Sequence, residues 1–313
     1  MVKDFRQIEK ELNVRLFLTE RNCQLLNTAQ NMLTRERIAI RDEKKILIPG
    51  CNMLIVKNEA IDACVRIMDD EYYILINSGI VEQQREYLEK LDWSFISNKV
   101  SQEKYINDMI EYGFYFSVFH EYAHIFCGHT EACFEDSADR KAQECEADMF
   151  AMDYLIKYIV HTHPVETDTI ELEKMFLAIY FQFENMQKES WAEWYNDKIL
   201  ENYYNLERIE KRDHPLASQR ILYLYEMLSI VVITDKMVEL PVRGKILEKI
   251  RKLKRTEGKE ISEWKIGMID DSVQKLKESV KQIRVKIPRM EEDLSEDVVH
   301  SGVRPHEQNM NKI

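Results

Sequence analysis

Glycine and proline are scarce in this chain, at 8 and 6 of 313 residues, against about 12 % for the two together in average proteins. Sandwiches and barrels of β-strands need Gly- and Pro-rich turns every few residues, so the shortage argues against both and favours long helices. Long apolar runs are also missing. The longest strongly apolar stretch, residues 228–233, is far shorter than the roughly 20 residues of a membrane span.

Cysteine is sparse as well, with six residues and no CxxC pair. Residues 1–12 mix charges and lack the apolar segment of a signal peptide. Reduced thiols and a cytoplasmic location are therefore expected. Acidic residues outnumber basic ones by 56 to 44, a net charge of −12, which argues against a chain built as a whole to bind nucleic acid.

The distribution of residue types predicts an α+β protein that is mostly α. We expect a helical segment over 1–44, a main domain with a small sheet over 45–235, and a basic helical region over 236–289. Residues 290–313 are polar and acidic without periodicity, so a disordered tail is expected there.

Short β-branched or aromatic runs predict the strands, and apolar periodicity predicts the helices. One or two amphipathic helices are expected within 3–40, strands within 46–56, 63–68 and 72–77, a hairpin turn at 69–71, and further helices at 79–91, 105–127, 138–160, 169–188, 190–206, 215–230, 244–256 and 261–284.

The helix over 105–127 contains an HExxH motif, His120-Glu121-Tyr122-Ala123-His124. Residues four apart share a helix face, so both imidazoles can reach one metal ion, and Glu121 projects beside it, where it can hold a bound water. The surrounding helix is too apolar to bury two histidines and a glutamate without partners. The alternative is a pair of hydrogen-bonded core histidines.

A catalytic zinc needs a third protein ligand. The metzincin pattern fails by register, because it requires glycine and histidine where this chain has Cys127 and Thr130. Cys127 lies three residues after His124 on the same helix and would crowd the metal, so we interpret it as a core thiol.

The next helix offers a better third ligand. Glu144 and Asp148 are four residues apart on one face, and the small Ala147 and Ala151 permit close approach of two helices. Glu144 can complete the ligand set, and Asp148 can accept the free N–H of a ligand histidine. Glu146 is the main rival for the ligand role. The alternative reading is an acidic pair on the surface.

HExxH followed by ExxAD resembles the gluzincin metallopeptidases. Three further matches are similar to the CAAX-prenyl-protease family and its bacterial heat-shock-protease relatives: His129, which completes an HExxHxxxxH form; the strand leading into Ser-Gly at 74–80; and the HPxxxxRI element at 214–221. The resemblance covers about residues 45–225.

The resemblance implies a zinc-dependent endopeptidase with a zincin-like core and two zinc-carrying helices. It implies that Zn²⁺ is bound by His120, His124 and Glu144, that Glu121 is the general base, that Asp148 supports a ligand, that His214 faces the developing oxyanion, and that Arg220 braces the site. An alternative for His214 is a helix-start residue before Pro215.

That family is commonly embedded in membranes, whereas this chain has no span, so a soluble, intracellular form is expected. By analogy, phage-exclusion-type peptidases and peptidases that cleave a repressor are candidate classes. The expected partner is a protein or peptide substrate, and strand 63–68 or 72–77 could pair with it in extended form. The rival hypothesis is a zinc-stabilised interaction or regulatory protein without catalysis.

Residues 242–289 carry 15 Lys and Arg against 7 Asp and Glu. The simplest interpretation is a solvated helical face. The alternatives are a docking surface for an acidic partner or a nucleic-acid-binding module.

Overall fold

The structure, a computed structural model, describes residues 5–44, 49–96, 98–130, 132, 136–163, 165–192, 215, 220–221, 223–225, 241–253 and 277–283. The named elements fall within these ranges. They are α1 (Phe5–Leu12), α2 (Glu20–Lys44), β1 (Cys51–Val56), β2 (Ala63–Met68), β3 (Glu71–Asn77), α3 (Gly79–Glu89), α4 (Lys99–Phe126), α5 (Ser137–Thr162), α6 (Val165–Ala192) and α7 (Pro241–Leu253). The predicted class, α+β and mostly α, is confirmed.

The sheet has the order β1-β3-β2. β3 pairs in parallel with β1 and antiparallel with β2. β2 and β3 form a hairpin whose turn residues, Asp69 and Asp70, have φ of 50° and 61°, as a type I′ turn requires. β3 is the central strand, so its residues Tyr73 to Ile76 are buried, and β2 lies at an edge.

α4 is the central helix of the fold. Its apolar residues surround the axis, and most of its second half is buried, as expected of a helix enclosed on all sides. It packs against β2, β3, α2, α3, α5 and α6. The helix begins at Lys99, earlier than the predicted residue 105, because the Asn98 side chain caps it by accepting the Val100 backbone N–H at 2.9 Å.

α5 and α6 pack beside α4 and extend the main core. The Asp136 side chain caps α5 by accepting the Ala138 backbone N–H at 2.8 Å. α6 is continuous through residues 188–190, where a break between two helices was predicted. α7 packs on α6, and its Ile246, Ile250 and Leu253 join the main core.

Other predicted features lie wholly or partly outside the described residues. They are the continuation of the 190–206 helix beyond Ala192, most of the 215–230 and 261–284 helices, and the 290–313 tail. Among the helices of the described part, none is both long and apolar enough to cross a bilayer.

Candidate metal centre

The end of α4 places two imidazoles side by side. His120 and His124 are four residues apart, so they project from one face, and their Nε2 atoms are 3.1 Å apart. Their side chains are largely buried, with 10 % and 15 % of their surface exposed. Both rings therefore direct the same nitrogen at one point.

α5 brings a carboxylate to that point. Glu144 places Oε2 at 3.5 Å from Nε2 of His120 and Oε1 at 3.6 Å from Nε2 of His124. The close approach of the two helices depends on small residues, and Ala147 and Ala151 are fully buried.

These three residues fit a zinc ion by donor chemistry and by spacing. Two imidazoles and one carboxylate form a known catalytic zinc set. Tetrahedral bonds of about 2.0–2.2 Å place neighbouring ligand atoms about 3.3–3.5 Å apart. The two Nε2 atoms are 3.1 Å apart, and each lies 3.5 or 3.6 Å from one of the two oxygens of Glu144. One carboxylate and two imidazoles also leave a fourth position for water or substrate.

Asp148 and Arg220 lie directly behind His120. Nδ1 of His120 is 2.9 Å from Oδ1 of Asp148, although the N–H is not aimed well at that oxygen. Arg220 donates to both carboxylate oxygens of Asp148 at 2.6 Å, and its guanidinium carbon lies 4.3 Å from the centre of the Phe183 ring. The structure thus brings together His120, Asp148 and Arg220.

The buried carboxylates of this cluster favour a positive charge at His120. Burial opposes protonation of His120, but Asp148 and Glu144 raise the pKa of His120 to about 10. Burial lowers the pKa of His124 to about 3. Burial would raise the pKa of Asp148, but Arg220 lowers it below its ordinary value. A divalent cation would supply the positive charge that a proton on His120 otherwise provides.

Glu121 follows His120 on α4 and interacts electrostatically with the cluster and with two residues near β2. Its side chain is buried, and burial raises the pKa of Glu121 to about 7 while the charge of His120 opposes the rise. Asp62, just before β2, also raises the pKa of Glu121, and Glu121 in turn raises that of Cys64 on β2. A carboxyl group with a pKa near 7 is suited to accepting and returning a proton at neutral pH.

The remaining predicted site residues have different outcomes. His214 lies outside the described residues, and the next residue, Pro215, is buried. Glu146, the rival ligand, does not join His120 and His124. It instead lies with Cys127 and His129 in a second, fully buried group whose possible ligand atoms are within 4.8 Å of one another.

The contact between His129 and Glu146 was not predicted from the sequence. One feature of the sequence bears on the position of His129 but not on that of Glu146. Gly128 directly follows the apolar run of α4, where a glycine often ends a helix, and a left-handed glycine there turns the next side chain back toward the helix. The position of Glu146 depends on the rotation of α5, which spacing within one helix does not show.

The Peptidase U49 family model matches residues 76–231, just under half of the chain. The matched segment contains β3 from Ile76 onward, all of α3 to α6, and Arg220. The match supports a proteolytic role and hence a protein substrate. Searches of curated proteins and of solved structures gave no match.

Proposed function

We propose that this protein is a zinc-dependent endopeptidase of the gluzincin type, acting on a cytoplasmic protein. In this proposal Zn²⁺ is held by His120, His124 and Glu144. The observation that carries it is the spacing between the two Nε2 atoms on α4 and the carboxylate oxygens of Glu144 on α5. The match to a peptidase family over residues 76–231 supports the same chemistry.

The reaction would be hydrolysis of a peptide bond. When bound, zinc supplies Lewis acidity to the scissile carbonyl oxygen and to the attacking water. Glu121 would accept a proton from that water at its carboxylate and donate it to the leaving amine nitrogen. This role matches the raised pKa of Glu121, at about 7, and its place beside the ligands.

The other residues of the site would hold this arrangement in place. Asp148 would fix the ring of His120 through Nδ1, and Arg220 would keep Asp148 ionised and oriented. His214 is proposed to donate a hydrogen bond to the developing oxyanion. This role rests on the HPxxxxRI resemblance, of which Arg220 is also a part.

The free edge of β2 is the best place for an extended substrate. β3 is paired on both sides, so residues 72–77 cannot add a peptide strand, and 63–68 is the remaining candidate. In the described part of the chain β2 pairs with β3 alone. A peptide paired with the edge of β2 would pass Cys64 and Asp62, both of which interact electrostatically with Glu121.

Metal content tests the site. The purified full-length protein is expected to bind one zinc per chain, measured by mass spectrometry of the metal, and Glu144→Gln is expected to lose most of it. Glu111→Gln is the matched control, because Glu111 is an exposed carboxylate on α4 away from the ligands. A wild-type protein that binds no zinc overturns the proposal.

Proteolysis is tested in cells by comparing new protein N-termini. Wild type and Glu111→Gln are expected to generate the same new N-termini, whereas Glu121→Gln is expected to retain zinc and generate none. If wild type retains zinc but cuts nothing, the result favours the rival function, a zinc-stabilised interaction protein. Salt-sensitive binding of RNA in that case would assign the function to the basic region 242–289.

A further inference from the structure

The end of α4 folds His129 back beneath His124. Gly128 has φ of 72°, its backbone N–H donates to the Ile125 carbonyl at 3.1 Å, and the His129 N–H donates to the His124 carbonyl at 2.8 Å. This pair of bonds is the Schellman motif, which a left-handed glycine permits. The motif fixes the backbone of His129 directly below the last ligand of the helix.

A continuous line of buried polar atoms starts at His124. Nδ1 of His129 lies 3.0 Å from Nδ1 of His124, and Nε2 of His129 lies 3.0 Å from Oε2 of Glu146. The His129 and Glu146 side chains are almost fully buried, with 1 % and 3 % of their surface exposed. Each nitrogen of the His129 ring therefore has one partner.

We infer that His129 and Glu146 are positioning residues that fix the ring and the proton of His124 for metal binding. The inference rests on the proposed zinc site. A ligand histidine is neutral and uses a lone pair on Nε2, so His124 must carry its proton on Nδ1. Nδ1 of His129 then accepts that proton's hydrogen bond, and the proton of His129 lies on Nε2 and is donated to Glu146.

The same proton order argues against a second metal at Cys127, His129 and Glu146. A metal on Nε2 of His129 would move the proton of His129 to Nδ1. That proton would then face the Nδ1–H of His124 across 3.0 Å. Two opposed N–H groups repel each other. Metals bound at both His124 and His129 would therefore require one of these two rings to lose its last proton.

The two histidine ligands thus have different supports. His120 faces the carboxylate of Asp148 directly at 2.9 Å, whereas His124 reaches the carboxylate of Glu146 through the ring of His129. Both arrangements place a buried anion behind a neutral ligand histidine. The anion raises the basicity of that histidine and fixes the orientation of its ring.

Ring ¹⁵N NMR of the zinc-loaded full-length protein tests the proton order without any substitution. We expect one zinc per chain, with the proton of His124 on Nδ1 and that of His129 on Nε2. Two zinc ions per chain, or a proton on Nδ1 of His129, would overturn the inference. Absence of zinc from wild type would instead overturn the proposed function.

Paired variants test the energetic consequence through zinc affinity, measured by competition with a chromophoric chelator. His129→Leu removes the acceptor and is expected to weaken zinc binding by about 10- to 100-fold. His129→Asn has nearly the same shape, keeps an oxygen where Nδ1 was, and is expected to retain most of the affinity. Equal affinities for the two variants would contradict the positioning role.

Glu146 and Cys127 provide the second pair. Glu146→Leu is expected to weaken zinc binding more than Glu146→Gln, whose amide oxygen still accepts from His129. Cys127→Ala is expected to leave zinc stoichiometry and affinity unchanged. Loss of a second equivalent of zinc in Cys127→Ala would assign the buried group as a metal site and overturn the inference. If His129→Leu does not fold, the NMR measurement on wild type still decides.

Discussion

Arg220 binds Asp148 with two hydrogen bonds of 2.6 Å, one from Nε to Oδ2 and one from an Nη atom to Oδ1. Asp148 is completely buried and Arg220 nearly so. A paired geometry of this kind is what arginine provides and lysine does not. The pair links α5 to a residue far along the chain and keeps a buried carboxylate charged beside His120.

Substitution of Arg220 alone should therefore destabilise the folded protein. Arg220→Met leaves the buried charge of Asp148 without its main partner, and we expect the free energy of unfolding to fall by about 3–5 kcal/mol. The measurement is urea unfolding of the full-length protein in the presence of a chelator. Adding Asp148→Asn removes the orphaned charge and should restore part of the loss; a double variant no more stable than Arg220→Met would contradict this account.

Chelation should destabilise the native protein. A metal that binds only the folded state stabilises it by mass action, by about 2.7 kcal/mol when free zinc is 100 times its dissociation constant. The melting temperature of the zinc-loaded protein should therefore fall when a chelator is added. Glu144→Gln should show a much smaller fall, and an equal fall in both proteins would mean that Glu144 is not a ligand.

Acid should weaken a polar network between α4 and α6. Lys174 and Tyr112 donate to Glu171 at 2.7 Å each. Burial would raise the pKa of Glu171, but these hydrogen bonds lower it. Its contribution to stability is therefore present above the ordinary glutamate pKa of about 4.3 and is lost as pH falls through the lower folded-state pKa.

Glu171→Gln tests this linkage. The variant should be less stable than wild type at pH 7, and the difference should shrink as pH falls below about 4. Urea unfolding at several pH values measures it. In a Lys174→Met background the effect of Glu171→Gln should be smaller, because one donor has already gone. A stability difference that does not change with pH would contradict the assignment.

Gly79 should not tolerate a side chain. A Cβ there would lie 1.9 Å from the carbonyl oxygen of Glu59 and 2.5 Å from that of Ala60. Gly79→Ala must shift the loop before β2 or the start of α3, at a cost of about 1–3 kcal/mol. Gly50→Ala is the control, since its Cβ would meet only the movable end of Arg37 at 3.3 Å. Equal unfolding free energies for the two variants would refute the prediction.

Contacts within one helix follow from spacing alone, whereas the choice of Glu144 over Glu146 also rested on the alanines of that helix and on the family resemblance. The separation of His120 from His124, and of Glu144 from Asp148, fixes which side chains share a face. Glu144 and Glu146 differ by about 200° around α5, and the rotation of that helix decides which of them faces the histidines. In the structure Glu144 does so and Glu146 faces His129. The assignment of zinc to the site stays a prediction.

The ends of helices, too, could be predicted only in part from the sequence. The end of α4 lies beside Gly128, a residue type that often ends helices, and its φ of 72° is the left-handed conformation of that role. The start of α4 was predicted too late, because the polar residues after Asn98 lack apolar periodicity although the side chain of Asn98 caps the helix. Capping depends on one hydrogen bond, which the hydrophobic pattern does not reveal.

α4 and α5 are neighbours in sequence, and this indicates an order for assembly. His120, His124 and Glu144 lie on these consecutive helices, so they can meet after closure of a short loop, which is fast. During synthesis the N-terminal part of a chain folds first, so these three residues emerge before Arg220. A nascent chain that ends before Arg220 could hold the three side chains together but would leave Asp148 charged and without its guanidinium partner. Completion of the site would then coincide with packing of the later chain against α5.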